Sequence, residues 1–256
     1  MSHAQISNRL WSERTMNKYT AYIMIGLARI LGGTSLLVFA IFLFVGSLGV
    51  LDTHLNECGV LWFDAALSIL FFIQHSGMIR KSFRRWLARF VSEEYTRAIY
   101  AISSGVVLLL VILLWQTSTQ SIIAPSSLFR WSLRAVFFIS LFGFYWSVKA
   151  LRFFDPFGFR PILNRLQGRN PRPMPITVSG PYLWVRHPLY LFTILMIWSC
   201  ADLTRDRLLF NVLWTVWIII GSHFEELDLI TEFGDAYREY QQRVPMLVPL
   251  SKWPKR

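Results

Sequence analysis

The sequence predicts an all-α integral membrane protein of about six transmembrane or hairpin helices (five to six). Three observations carry that prediction. Of 256 residues, 54% are hydrophobic and only 16% are charged, whereas a soluble domain carries about a quarter charged residues. The apolar residues come in long blocks, and a bilayer core needs about 20 of them per helix. Lys and Arg concentrate in alternate links between the blocks, the asymmetry that orients membrane helices.

The blocks are 21–51, 59–75, 98–116, 131–151, 188–202 and 208–224. The first four are long enough to span. The fifth and sixth are short and read as a tight hairpin that crosses the bilayer fully or in part. Block one is too long for a cleavable signal peptide, and no A-x-A-like site follows it. Arg9, Arg14 and Lys18 precede it, and the link 52–58, DTHLNEC, has neither Lys nor Arg. The link 76–97 carries Arg80, Lys81, Arg84, Arg85, Arg89 and Arg97, while 117–130 has only Arg130. The link 152–187 carries Arg152, Arg160, Arg165, Arg169, Arg172 and Arg186, and the tail carries Arg238, Arg243, Lys252, Lys255 and Arg256. This alternation places both termini and the two basic loops in the cytoplasm. Arg205 and Arg207, between the last two blocks, run against it. The net charge of +11 then expresses positive-inside bias and affinity for anionic lipid. Nucleic acid is a poor partner, because the basic residues are scattered and no recognition module accompanies them.

No internal repeat or low-complexity run is present. Residues 155–187 are rich in Pro, Arg and Gly, with NPRPMP at 170–175. Prolines at that density oppose a regular helix, so an extended cytoplasmic loop is expected. It divides the chain into an N-terminal four-helix transmembrane region, 1–151, and a compact C-terminal unit, 152–256. Cys58 and Cys200 match no metal spacing, and the histidines form no H-x-x-x-H pair, so no metal site is expected. With neither a P-loop nor a G-x-G-x-x-G, ATP binding and a soluble dinucleotide fold are excluded.

Two polar clusters flank the last hairpin. In GPYLWVRHPLY, 180–190, Gly180-Pro181 marks a turn. Pro188 suits the first turn of a helix, where its missing N–H costs nothing. That helix end gathers unpaired N–H groups and partial positive charge. The second cluster, SHFEELDLITEFGDAYREYQQRVP, spans 222–245. Glu225 and Glu226 follow the apolar run directly, where a helix C-terminus would disfavour them. A helix that continues toward Tyr240 relieves this. Arg186 and His187 at one end of the hairpin and two acids at the other can enclose a polar, positively charged molecule partly inside the bilayer. The plainer reading is a set of interfacial anchors.

These paired clusters resemble the membrane superfamily of isoprenylcysteine carboxyl and phospholipid methyltransferases. The shared pattern is G-P-Y-x-x-x-R-H-P-x-Y, then E-E, then F-G-x-x-Y-x-x-Y-x-x-R-V-P. The resemblance implies S-adenosylmethionine as cofactor, bound through Tyr182, Arg186, His187, Tyr190, Glu225, Glu226, Tyr237 and Tyr240, with a further role for Arg243. The family often has Gly where this chain has Phe192, and a ring there could narrow the pocket. FDAALSILFFIQHSGMIRKSFRRW, 63–86, and RFFDPFGFR, 152–160, are similar to bacterial methanethiol S-methyltransferases and the related NnrU-like proteins. The matching residues are Gln74, His75, Ser76, Met78 and Arg80, then Asp155, Phe157, Gly158 and Arg160. This resemblance implies a bacterial inner-membrane enzyme that methylates a small thiol, methanethiol, to dimethyl sulfide, with Gln74, Ser76, Arg80 and Phe192 near the acceptor.

Methyl transfer to sulfur needs no metal, only a thiolate held in line with the methyl group. Asp64, Ser68 and His75 lie near one helix face, with Asp64 and His75 about 16 Å apart along the axis. His75, at the cytoplasmic end, is the first candidate for base or orienting residue, against the reading of an ordinary interfacial histidine. His187 competes but has a cofactor-binding motif position. His223 is a further candidate, three residues before Glu226, where the two could pair. Three rival functions remain: methylation of a lipid or prenylcysteine carboxylate, an NADPH-dependent sterol reductase, and a non-catalytic NnrU-like accessory protein. The acidic C-terminal unit suits a sulfonium better than a nucleotide phosphate.

Single cysteines at Ser82 and Asn170, in a background lacking Cys58 and Cys200, should resist an impermeant thiol reagent in intact cells. Labelling from outside would reverse the predicted orientation.

Overall fold

The computed structural model describes residues 17–123, 126–151, 154–170, 176 and 178–249. The proline run at 171–175 and the basic residues Arg9, Arg14, Arg152, Arg172, Lys252, Lys255 and Arg256 lie outside them. The described residues are predominantly helical: α1 (Lys18–Val45), α2 (Glu57–Ile79), α3 (Lys81–Leu87), α4 (Thr96–Leu114), α5 (Ser127–Ala150), α6 (Arg160–Leu166), α7 (Pro188–Trp198), α8 (Arg205–Phe233) and α9 (Asp235–Arg243). Two short strands, β1 (Ser121–Ile123) and β2 (Leu203–Thr204), pair antiparallel. Among the described residues, five helices are long and apolar enough to cross a membrane: α1, α2, α4 with its 3-10 lead-in from Glu93, α5 and α8. The chain is an integral membrane protein of the expected all-α class.

Two expectations change. The sixth apolar block is not short, because α8 has 29 residues, about 43 Å at the helical rise. The apolar run undercounts it because buried polar residues extend it at both ends, Asp206 and Arg207 at the start and Glu226 near the finish. The fifth block does remain short, since α7 has 11 residues and reaches about half the hydrocarbon thickness. The segment 155–187 is not wholly extended either. It contains α6, whose first turn accommodates Pro161, where proline loses no hydrogen bond.

The chain packs as two compact units: Met1–Leu37, Ile73–Leu109 and Asp155–Pro173 form one, and Val38–Phe72, Leu110–Phe154 and Met174–Arg256 the other. In the first, Ala21, Ile25 and Ala28 of α1 meet Ala98 of α4 and Ile162 of α6. The small side chains permit close approach, and a Cβ at Gly105 would lie 2.9 Å from the Leu31 carbonyl oxygen. Asp155 holds the start of α6, its two oxygens accepting the N–H groups of Phe159 at 3.2 Å and Arg160 at 2.8 Å. Gly158 turns the chain with φ +65°, and a Cβ there would stand 2.5 Å from the carbonyl carbon of Arg97.

In the second unit an aromatic core joins α1, α2 and α8. Trp214 stacks on Phe71 at 5.1 Å and on Phe210 at 4.7 Å, and Phe42 meets Phe210 edge-on at 5.1 Å. Beside it lies a buried polar network. Arg207 donates to the Phe42 and Leu43 carbonyls at 3.1 and 2.6 Å; Phe42 also accepts the Gly46 N–H, and Leu43 is among the last carbonyls of α1, which lack intrahelical partners. Arg207 is therefore a helix cap, not the loop charge that clouded the orientation of the last hairpin. Asp206 accepts from Trp115 Nε1 and the Ser118 N–H, and Asp64 accepts the Gln116 N–H at 3.0 Å.

Gly158→Ala should destabilise the protein by about 1–3 kcal/mol through backbone strain and collision. Gly26→Ala, in open space on α1, should be neutral or stabilising by up to about 1 kcal/mol. Melting in detergent tests the contrast, and equal shifts for both would show that the 155–158 turn is not held as described.

Candidate active site

The second unit brings the two polar clusters together around one carboxylate. Glu226 is buried, 4% exposed, yet it sits seven residues before the end of α8, so it escapes the unfavourable helix terminus. The α7 end supplies its main partners. Arg186 grips it side-on, Nε to Oε1 at 2.9 Å and Nη2 to Oε2 at 2.7 Å, the two-toothed geometry that suits a guanidinium. His187 Nε2 lies 2.7 Å from Oε1. From α9, Tyr237 donates its hydroxyl to Oε1 at 2.8 Å, and Gln241 donates to Oε2. Tyr237 and Gln241 are one helical turn apart and share a face. Gly234, at φ +60°, breaks the helix that the sequence pattern allowed to run to Tyr240. The break turns α9 back so that this face reaches Glu226.

Backbone pairing completes the arrangement. The Arg186 N–H donates to the Pro245 carbonyl at 2.9 Å and the His187 N–H to the Met246 carbonyl at 3.1 Å. Arg186 Nη1 also donates to the Gln241 and Val244 carbonyls. The tail is thus strapped along the entrance to α7, with Val185, Val244 and Leu247 buried. Tyr240 donates its hydroxyl to the Tyr182 carbonyl at 2.6 Å. Burial pushes all three phenols well above the usual tyrosine range; for Tyr182 nearby Glu225 adds to it, for Tyr237 the bond to Glu226 does, and for Tyr240 Arg186 partly opposes it. They remain donors across the physiological range.

Glu225 meets this network through His187, whose Nδ1 lies 3.8 Å from its Oε2. Its side chain is 44% exposed, and its Oε2 accepts the Tyr190 hydroxyl at 2.6 Å. The rings of Tyr190 and His187 lie nearly parallel with centroids 5.4 Å apart. All eight residues that the resemblance implied for cofactor binding therefore fall in one neighbourhood. Their roles divide: Glu226 is used up by protein donors, while Glu225 keeps lone pairs open to a ligand.

Phe192 lies with its ring on Gly143 of α5, where a Cβ would collide with it, so the missing side chain at 143 makes its seat. His223 does not pair with Glu226; it is exposed and touches Phe224, because Glu226 faces inward toward Arg186. Arg243 is exposed and pairs with Glu239 at 3.5 Å. In the first unit, the Tyr100 hydroxyl lies 2.8 Å from His75 Nε2 and 3.3 Å from Nδ1. Gln74 donates to Met78 Sδ and to Ser104 Oγ, and its carbonyl oxygen is buried without a partner among the described residues. Ser76 is half-buried and Arg80, just before α3, is exposed. Gln241 and Tyr100 were missed from the sequence. The one-turn spacing from Tyr237 could have flagged Gln241, but Tyr100 is indistinguishable there from an aromatic belt residue.

The family described as NnrU protein matches residues 65–226. A methanethiol S-methyltransferase of Pseudomonas sp. (strain GM41(2012)) is 36% identical over 224 residues, covering 80% of this chain and 82% of the relative. Methanethiol S-methyltransferase 2 of Bradyrhizobium diazoefficiens is 36% identical over 197 residues, 77% and 75% of the two chains. One from Mycobacterium tuberculosis is 31% identical over 190 residues, 73% and 76%. No solved structure matches the chain. With the matched stretch running from the middle of α2 through Glu226 itself, the chain belongs to the NnrU family, in the company of these methanethiol S-methyltransferases.

Proposed function

We propose that the protein transfers a methyl group from S-adenosylmethionine to methanethiol, giving dimethyl sulfide, at the cytoplasmic side of a bacterial inner membrane. Its kinship with enzymes that carry this activity in their names supports the reaction. The observation that carries the cofactor assignment is the half-exposed Glu225 carboxylate, braced by Tyr190 beside the stacked His187 ring. An open carboxylate next to aromatic faces fits a cationic sulfonium. When bound, S-adenosylmethionine supplies a methyl group activated by the positive charge on its sulfur.

The chain's own residues bind and orient. Glu226 holds Arg186 and His187 in place, and Tyr237 and Gln241 complete its shell. Glu225 meets the ligand's charge. Residues 152–256 supply this methyl-donor unit. His75 takes up the thiol proton, directly or through the Tyr100 hydroxyl that touches it. The sulfur then attacks as thiolate, the nucleophilic form. Gln74, Ser76 and Arg80 surround this end of α2 in sequence and contribute to the acceptor site.

The division of roles between the two glutamates is measurable. Glu225→Gln should weaken S-adenosylhomocysteine binding by calorimetry while leaving the melting temperature near that of wild type. Glu226→Ala should weaken binding and also destabilise the protein by about 3–5 kcal/mol, because Arg186 is left buried without its counter-charge. Wild-type affinity in both variants would remove this cluster from the cofactor site.

Gas chromatography of the headspace above enzyme, S-adenosylmethionine and methanethiol tests the reaction. Cofactor-dependent dimethyl sulfide is expected, with a rate that rises with pH until the thiol is ionised in the complex. His75→Ala should lower kcat more than it weakens S-adenosylhomocysteine binding. Methylation of a phospholipid or prenylcysteine with no dimethyl sulfide would overturn the thiol assignment and leave the methyltransferase class intact.

A further inference from the structure

The first unit contains a cavity whose lining shares only Tyr100 with the methyl-transfer reading. It has a volume of about 170 Å³ and is lined by Ile79, Arg84, Arg97, Tyr100 and the turn Asp155–Pro156–Gly158. Ile79 is the last residue of α2 and Arg97 the second of α4. The cavity therefore lies where two membrane-spanning helices end on the same side, the depth at which lipid headgroups sit.

Its lining carries two guanidinium groups against one carboxylate, a net positive charge. Arg84 is half-buried, and its Nε is buried with no hydrogen-bond acceptor among the described residues. A buried N–H left in that condition is costly. Arg97 forms no ion pair among the described residues. Asp155 is the one acid in the lining, but both its oxygens accept backbone N–H groups of Phe159 and Arg160. The wall is also rigid, since Gly158 packs on the Arg97 backbone more closely than any side chain would permit. Two guanidinium groups on a fixed wall, against one carboxylate already held by two backbone N–H groups, form a net-positive receptor for an oxyanion.

We propose that this cavity binds the phosphate group of an anionic phospholipid. The volume admits a phosphate but not a whole lipid, so the glycerol and acyl chains must leave through the open side. The neighbouring surface suits them: Trp86 is 48% and Phe90 67% exposed. Exposed aromatic rings at this depth are what the membrane interface retains.

Native mass spectrometry of the full chain in detergent, titrated with dioleoyl phosphatidylglycerol, tests the assignment. Wild type should hold one lipid tightly and prefer it to phosphatidylcholine. Arg84→Gln with Arg97→Gln should lower that affinity by roughly tenfold or more, since two charge-assisted contacts are removed. Arg85→Gln with Arg89→Gln, outside the cavity, should change it little. If the first pair fails to fold, Arg97→Gln alone, at an exposed position, should still weaken binding. The lipid should raise the melting temperature of wild type and not of the cavity variant. Equal lipid binding by wild type and the cavity variant, or an equal loss in the Arg85 and Arg89 variant, would overturn the site. Displacement of the lipid by inorganic phosphate at comparable concentration would overturn the lipid as its source.

Discussion

A carboxylate buried in an apolar helix must have its lone pairs met by protein donors, because neither lipid nor core can meet them. Glu226 imposes that demand on the C-terminal half of the chain. Its donors are Arg186 and His187 at the start of α7 and Tyr237 and Gln241 on α9. Meeting the demand determines where α9 must lie, why Gly234 breaks the long helix, and why the tail pairs with the backbone at 186–187. Remove the carboxylate and the same donors lose the common point that brings three chain segments together.

The same rule shapes the rest of the second unit. Arg207 would be expensive inside a membrane protein by itself. It is accommodated because the end of α1 presents carbonyls that accept from it. Asp206 likewise answers the indole of Trp115 and the backbone of Ser118. These contacts lengthen α8 beyond its apolar core. In the first unit close backbone approach plays the larger part, at Gly105 against Leu31 and Gly158 against Arg97.

Chemically, the consequence is a separation of labour between neighbouring acids. Glu226 is saturated and builds the site, while Glu225, on the adjacent face of the same helix, remains half-exposed and able to meet a cation. Arg186 is committed to Glu226 and to two tail carbonyls, so it orients other groups and has little capacity left for a ligand. Such sites gain strength from being built beforehand, since no reorganisation remains to be done when charge arrives.

Much was legible in the sequence. Apolar block length and the placement of Arg and Lys depend on the chain alone and its bilayer solvent, so the membrane class and the short α7 could be read from them. The R-H-P turn before α7 and the E-E pair on α8 marked the candidate site because polar residues at such positions are costly without partners. The partners themselves were not legible. Whether His223 or Gln241 meets Glu226 depends on which face of α8 turns inward, and His223, nearer in sequence, turns out to be exposed. The seat that Gly143 gives the Phe192 ring could not be read from the sequence. The helix at 160–166 was hidden by surrounding prolines, because its stability comes from Ile162 in a distant core. By itself, then, the sequence determined the membrane class and pointed to the polar clusters of the candidate site. Only the tertiary structure decided who bonds to whom, because hydrogen-bond geometry is set by helix rotation and backbone approach, which local composition does not encode.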